Sequence, residues 1–170
     1  MGRGAIAEMR TTRIAKGRDV RFWFPEEKPC GALSNLYPRS LVFEGIRYRS
    51  AEHAYKAGQA RRAAVRNWLR NAPTAQLVAL SGERLPKSET VQGWSRRRIP
   101  LMRRILKAKF TQHPDLRRLL LGTGVRRLVE HAPDDNPINR FWSEIKGSRA
   151  GKNHLGRLLM ELRRDLRESS

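Results

Sequence analysis

The chain has 170 residues, with 36 Lys and Arg against 16 Asp and Glu and a net charge of +20 at pH 7. That length holds one domain around one hydrophobic core, and no apolar run approaches the roughly 18–20 residues that a bilayer span needs. The single cysteine, Cys30, excludes an internal disulfide and a cysteine-rich zinc site. No apolar leader follows the N-terminal charges, so the expectation is a cytoplasmic protein.

Residues 1–19 mix Gly, Thr and Arg, with Arg3, Arg10, Arg13, Lys16 and Arg18 outnumbering Glu8 and Asp19, and read as a flexible basic arm. Residues 20–170 read as the domain. Val20 to Phe24 is aromatic-rich and strand-like. Leu41 to Tyr48 reads as a hairpin turning at Glu44-Gly45, since glycine tolerates positive φ. Ser50 caps a helix predicted from Ala51 to about Leu69, with Glu52 in its first turn.

Further helices are expected over Ala72–Ser81, Pro100–Phe110 and from Pro114 to Gly122, with a loop between Gly82 and Gly93. Residues 131–153 collect Gly, Pro, Asp and Asn and read as a long irregular segment, a type of loop that is often functional. The last helix, about Asn153 to Glu168, carries Leu155, Leu158, Leu159, Leu162 and Leu166 on one stripe. The fold class is therefore α+β, mainly helical, with one small antiparallel sheet.

Several chemistries find no support. Neither a Gly-x-Gly-x-x-Gly turn nor a phosphate-binding Gly-x-x-x-x-Gly-Lys-Ser/Thr loop occurs. The four histidines lack the i, i+4 pairing of zinc hydrolases, so no metal and no cofactor is expected. What remains is Glu52. In a first helical turn the unpaired N–H groups and the macrodipole favour a carboxylate. Such a group can stabilise a ribosyl cation or activate water, or serve only as a favourable helix-terminal charge.

Taken together, the segments resemble the YbiA/NADAR family. Gly31-Ala32-Leu33-Ser34-Asn35 is similar to its Gly-x-x-Ser-Asn stretch, and Tyr48 to Tyr55 to its strand followed by Ser/Thr-x-Glu-His. Trp94, Leu106 to Phe110, Leu119 to Thr123 and Leu128 to Glu130 match its central positions. Phe141-Trp142 and Gly151 to Met160 match its closing Trp loop and Gly-x-Asn-x-Leu-Gly-x-x-Leu-Met helix. The match runs from about residue 20 to 168, in the expected order.

The resemblance implies a metal-free N-glycosidase. Members cleave phosphoribosylamino-pyrimidine intermediates of riboflavin synthesis, or remove ADP-ribose from guanine, including guanine in DNA. It implies Glu52, Lys56 and Asn139 as catalytic residues. Ser34, Asn35, His53, Trp94, Lys109, Trp142, Gly151 and Asn153 are the implied substrate-binding residues. Trp142 or Trp94 would stack on the base, or either is a core aromatic. Lys56 and Lys109 would engage phosphate or an opened ribose, although Lys56 can equally bridge to Glu52 four residues earlier.

Three positions depart from the pattern. The family's Gln-Ala-x-Lys becomes Lys56-Ala57-Gly58-Gln59, its Asp three residues before the loop Trp becomes Asn139, and the Gly after that Trp becomes Ser143. Asp134 or Asp135 could replace the missing carboxylate. The charge of +20 favours ADP-ribosylated nucleic acid as substrate, with Arg96-Arg97-Arg98, Arg103-Arg104 and the arm tracking DNA or RNA. A phosphoribosyl metabolite is the alternative substrate. The non-enzyme reading is a module that binds ADP-ribose or nucleic acid without turnover.

Overall fold

A computed structural model describes residues 18–169. The predicted basic arm lies outside the described residues except for Arg18 and Asp19, and Asp19 is held by Arg127 at 3.2 Å. The expected hairpin forms from β2 (Leu41–Phe43) and β3 (Ile46–Tyr48), paired antiparallel with Phe43 opposite Ile46. Glu44 and Gly45 both take positive φ at its turn, 51° and 76°, the geometry that matches strand twist in a two-residue hairpin.

A second sheet is a correction to the single one expected. Strand β1 (Val20–Phe22) runs parallel to β4 (Leu128–Ala132), which in turn runs parallel to β5 (Glu144–Ile145). Both new strands fall in or beside the stretch read as irregular. Leu128, Val129, Glu130 and Ala132 are all buried. A strand covered on both faces loses the alternation by which strands are recognised in a sequence.

The helix expected over Ala51–Leu69 is two. Helix α1 (Ala51–Gln59) stops where Ala60 turns extended and bridges to Thr90. Around that bridge Arg61 donates to the Glu89 carbonyl at 2.6 Å and Val91 to that of Gln59 at 2.9 Å. Helix α2 (Ala63–Arg70) then begins afresh. The break is tertiary, made by backbone pairing with a segment thirty residues downstream.

Helix α3 (Ala75–Glu83) starts later than predicted, because the Thr74 hydroxyl caps it by accepting from the Leu77 amide. Helix α4 (Trp94–Gln112) begins earlier than expected and runs through Pro100. Helices α5 (Pro114–Gly122) and α7 (His154–Glu168) follow prediction closely, and α6 (Pro137–Trp142) is a short helix inside the expected loop.

The core lies between the two sheets and the long helices. Helix α4 contributes Met102, Ile105, Leu106 and Phe110, and α7 buries all five leucines of its predicted stripe. Helix α7 packs directly on β4 at Gly156, where an added Cβ would lie 2.2 Å from the Leu128 carbonyl oxygen and 2.6 Å from the Asn153 amide. Backbone cannot yield as a side-chain tip can. Gly156→Ala is therefore expected to destabilise the domain by about 3 kcal/mol, read as a lowered denaturant midpoint at unchanged m-value.

Candidate active site

A cavity of about 450 Å³ opens between α1, α3, the end of β4 and the segment around α6. Ligand sites commonly have that size. Glu52, Tyr55 and Lys56 of α1 line one side and Gln76, Ala79, Leu80 and Glu83 of α3 another. Asn35, Glu130, Asn139 and Trp142 complete the polar and aromatic lining.

Local sequence places Glu52. The Ser50 hydroxyl accepts from the His53 amide and starts α1. The Glu52 amide itself donates to the Asn35 carbonyl at 3.2 Å. First-turn amides are thus used by backbone and cap, leaving the carboxylate to project into the cavity. Lys56 Nζ stands 3.7 Å from Glu52 Oε1, one turn along the helix, and both side chains are largely buried. Burial pushes the Glu52 carboxyl above its ordinary range and Glu83 adds to this, while Lys56 opposes it. The helix terminus alone suggested the reverse direction. Desolvation outweighs it because the capping interactions occupy the amides that would have favoured the charge.

The Lys56 stem lies along Gly82 of α3, where an added Cβ would stand 2.3 Å from Cδ and 2.9 Å from Cγ. Gly82→Ala is expected to lift the ammonium away from Glu52. Catalytic efficiency should fall roughly tenfold or more, since small misplacements at a reacting centre are costly. The melting temperature should move little, because alanine is the better helix former by about 1 kcal/mol.

Of the residues expected at the site, Asn35, Glu52, Lys56, Asn139 and Trp142 line the cavity together. Asn35 donates from Nδ2 to the Met102 sulfur at 3.2 Å, and its buried Oδ1 has no hydrogen-bond partner among the described residues. Asn139 donates from Nδ2 to the Asp134 carbonyl, which keeps the amide at the cavity wall. Asp134 also lines the cavity, whereas Asp135 is spent on Arg140 at 2.5 Å.

The others stand behind this surface. Trp94 packs on the buried Tyr55 ring at 5.2 Å between centroids, and Tyr55 meets Trp142 edge-on at 5.5 Å. Trp142 is thus the tryptophan available to a ligand and Trp94 its support. His53 bonds the Ser50 hydroxyl at 2.7 Å and the Ala72 carbonyl at 3.0 Å, fixing the start of α1 against the chain before α3. Ser34 is buried, and its hydroxyl accepts from the Leu36 amide.

Lys109 is fully buried, its Nζ donating to the carbonyls of Ala32 and Ser34 at 2.7 and 2.8 Å. Burial lowers its pKa to about 7. It ties down the loop that carries Asn35 and does not reach the cavity. Gly151 sits at φ 111°, where a Cβ would fall 2.2 Å from the Ser143 carbonyl oxygen. Asn153 spans β4 with both ends of its amide, accepting from the Glu130 amide at 3.1 Å and donating to the Leu128 carbonyl at 2.9 Å. Its role is to hold that strand.

Sequence reasoning missed Glu130, Tyr55, Met102 and the aromatic rim of Trp23 and Phe24, all of which line the cavity. Glu130 was noticed only as a matching position. Its Oε2 accepts from the Ser143 hydroxyl at 2.7 Å, and burial raises its pKa to about 7. Arg96 and Arg97 are exposed, but Arg98 lies over the Phe141 ring at 3.2 Å. Arg103 and Arg104 are engaged by Glu161 and Glu44. Among the described residues no helix is long and apolar enough to cross a membrane.

Comparison with known proteins converges on one group. The NADAR domain profile matches residues 21–167. An N-glycosidase YbiA of Shigella flexneri is 35% identical over 136 residues, covering 80% of this chain and 81% of that protein. An N-glycosidase of Nostoc punctiforme is 30% identical over 149 residues, 86% of this chain and 92% of its own length. A riboflavin biosynthesis protein of Vibrio vulnificus is 35% identical over 155 residues, although the match spans only 39% of that longer chain. The solution structure of Escherichia coli YbiA superposes with a TM-score of 0.80 at 30% identity, over 94% of this chain and 91% of that one.

Proposed function

The chain belongs to the NADAR family, and from that premise we propose that it is an N-glycosidase that hydrolyses the ribose–base bond of ADP-ribosylated guanine. The observation that carries the reading is the Glu52–Lys56 pair, a desolvated carboxylate and ammonium 3.7 Å apart at one edge of the cavity. Breaking a C1′–N bond builds positive charge on the ribosyl carbon, and a fixed carboxylate in a water-poor site stabilises that charge as it develops. Glu52 does this and orients the attacking water. Lys56 holds Glu52 ionised and meets the ribosyl oxygens or phosphate. Trp142 stacks on the base, Asn139 binds ribose hydroxyls, and Asn35 offers its amide to the same ligand.

A nucleic-acid-linked substrate is favoured by the net charge of +20 and by Arg96 and Arg97, which are exposed at the start of α4. A second reading, a phosphoribosylamino-pyrimidine substrate, is favoured by relatives from Vibrio vulnificus and Zea mays that are named as riboflavin biosynthesis proteins. The deciding experiment offers both substrates to the purified protein and follows them by mass spectrometry. Release of ADP-ribose from a modified-guanine oligonucleotide supports the first reading. Cleavage of the pyrimidine alone supports the second, and binding without turnover of either would leave a reader of ADP-ribose.

A further inference from the structure

We propose that Glu130 is the proton donor to the departing base, and that Ser143 is the positioning residue that aims it. The inference rests on the N-glycosidase reading above. The cavity holds two buried carboxyl groups in unlike surroundings. Glu52 faces the Lys56 ammonium at 3.7 Å. Glu130 faces no such cation among the described residues. From α1 the charge of Glu52, on the same cavity, acts on it, from the residue after α6 the Ser143 hydroxyl bonds it, and on β1 the apolar Phe22 is its partner in register. On the neighbouring strand, Glu144 is held by Arg127. His131, next along β4, lies 3.8 Å from Glu27. The remaining acidic groups lining the cavity are Glu26, Glu83 and Asp134.

Two carboxyl groups whose environments differ in this way divide acid and base work between them. Glu52, paired with ammonium 3.7 Å away, is the one of the two whose negative charge has a partner. Glu130, desolvated and repelled by Glu52, keeps its proton near neutrality. Ser143 Oγ donates to Oε2, which leaves Oε1 to carry that proton. The residue is held rigidly, with its backbone amide bonded to Asn153 Oδ1 and Ser143 fully buried.

The step then balances. As the C1′–N bond breaks, its electron pair goes to the base nitrogen, which takes the proton from Glu130. Water adds to C1′ and gives a proton to Glu52. Glu130 ends ionised and Glu52 protonated, and exchange of one proton through solvent restores both. The amide at Asn139 cannot supply this proton, whereas Glu130 is a buried carboxyl group of the lining that a hydroxyl holds in place.

The test uses two probes, a ribosylamino-pyrimidine 5′-phosphate and 4-nitrophenyl riboside 5′-phosphate, whose leaving group departs without needing a proton. Glu130→Gln should lose about a hundredfold or more on the first, the usual worth of general acid catalysis, and only a few-fold on the second. Wild-type kcat/KM on the first probe should fall as pH rises through about 7, and that limb should be absent in Glu130→Gln. The Ser143 bond favours the ionised form, so Ser143→Ala should move the limb to higher pH while circular dichroism is unchanged.

Equal losses on both probes, or an alkaline limb unmoved in every variant, would overturn the assignment. Wild-type protein that cleaves neither probe nor the modified-guanine oligonucleotide would remove the glycosidase reading, and this inference with it. An active wild type with unaffected Glu130→Gln removes the inference alone.

Discussion

Glu52→Gln is expected to reduce turnover by about 10²–10³-fold while substrate binding changes much less. The amide keeps the shape of the carboxylate and an oxygen facing Lys56 Nζ, so the α1 cap at Ser50 and the cavity wall stay in place. What it loses is the negative charge opposite the ribosyl cation. Electrostatic stabilisation of that kind exists only in the transition state, so its removal lowers kcat and kcat/KM together. Single-turnover kinetics beside ligand titration separates the two quantities. A Glu52→Gln protein with wild-type kcat would sink the assignment of Glu52, whatever the substrate proves to be.

Lys56→Met carries the second large effect, and here stability and activity move together. The side chain of Lys56 is only 6% exposed and that of Glu52 12%. Removing the ammonium leaves a buried carboxylate without its partner, a change that costs about 3–5 kcal/mol where the charge persists. The lower end is expected, because Glu52 borders the cavity and water can reach it. Glu52 is already raised above its ordinary 4.5, and losing Lys56 raises it further.

The direction of the pH dependence follows. A carboxyl group whose folded pKa exceeds the unfolded one binds more protons when folded, so stability falls as pH climbs above the unfolded value of about 4.5. The deficit of Lys56→Met relative to wild type should therefore be small near that pH and grow towards neutrality. Urea titrations at several pH values would show it. The double variant with Glu52→Gln should regain most of the lost stability, since no unpaired charge remains, yet stay inactive. A deficit independent of pH would mean that lost packing against Gly82, and not charge, sets the cost.

These effects bear on how the site is read. The residues that do chemistry in the proposed mechanism are few: Glu52, Lys56 and Glu130, with Trp142 and Asn139 shaping the ligand's place. His53, Trp94, Lys109, Gly151 and Asn153 serve the same site at one remove. Lys109 bonds the loop that ends in Asn35, Asn153 pins β4 under Glu130, and Gly151 allows the backbone to close on Ser143. A sequence resemblance makes no distinction between the two groups, because a residue that fixes a strand and a residue that touches substrate leave the same mark on a motif.

By itself the sequence determined what depends on neighbours a few residues apart. The Ser50 cap, the Glu44-Gly45 turn, the leucine stripe of α7 and the i, i+4 reach from Glu52 to Lys56 all follow from local geometry. Their physics is complete within one or two turns of chain. The family resemblance gave the mainly helical α+β fold by the same route, through an ordered string of local motifs.

Tertiary structure alone decided the rest. Strand β4 is a strand because β1 and β5 pair with it from distant parts of the chain, and helix α1 ends at Gln59 because Ala60 bridges to Thr90. Glu130 sits in Leu128-Val129-Glu130, a stretch whose residues say nothing by themselves about how deeply the carboxyl group is buried. It becomes a desolvated acid only when flanking strands, Ser143 and Glu52 close around it. Burial is a property of what comes from elsewhere in the chain, and a carboxyl group's proton affinity depends on that burial.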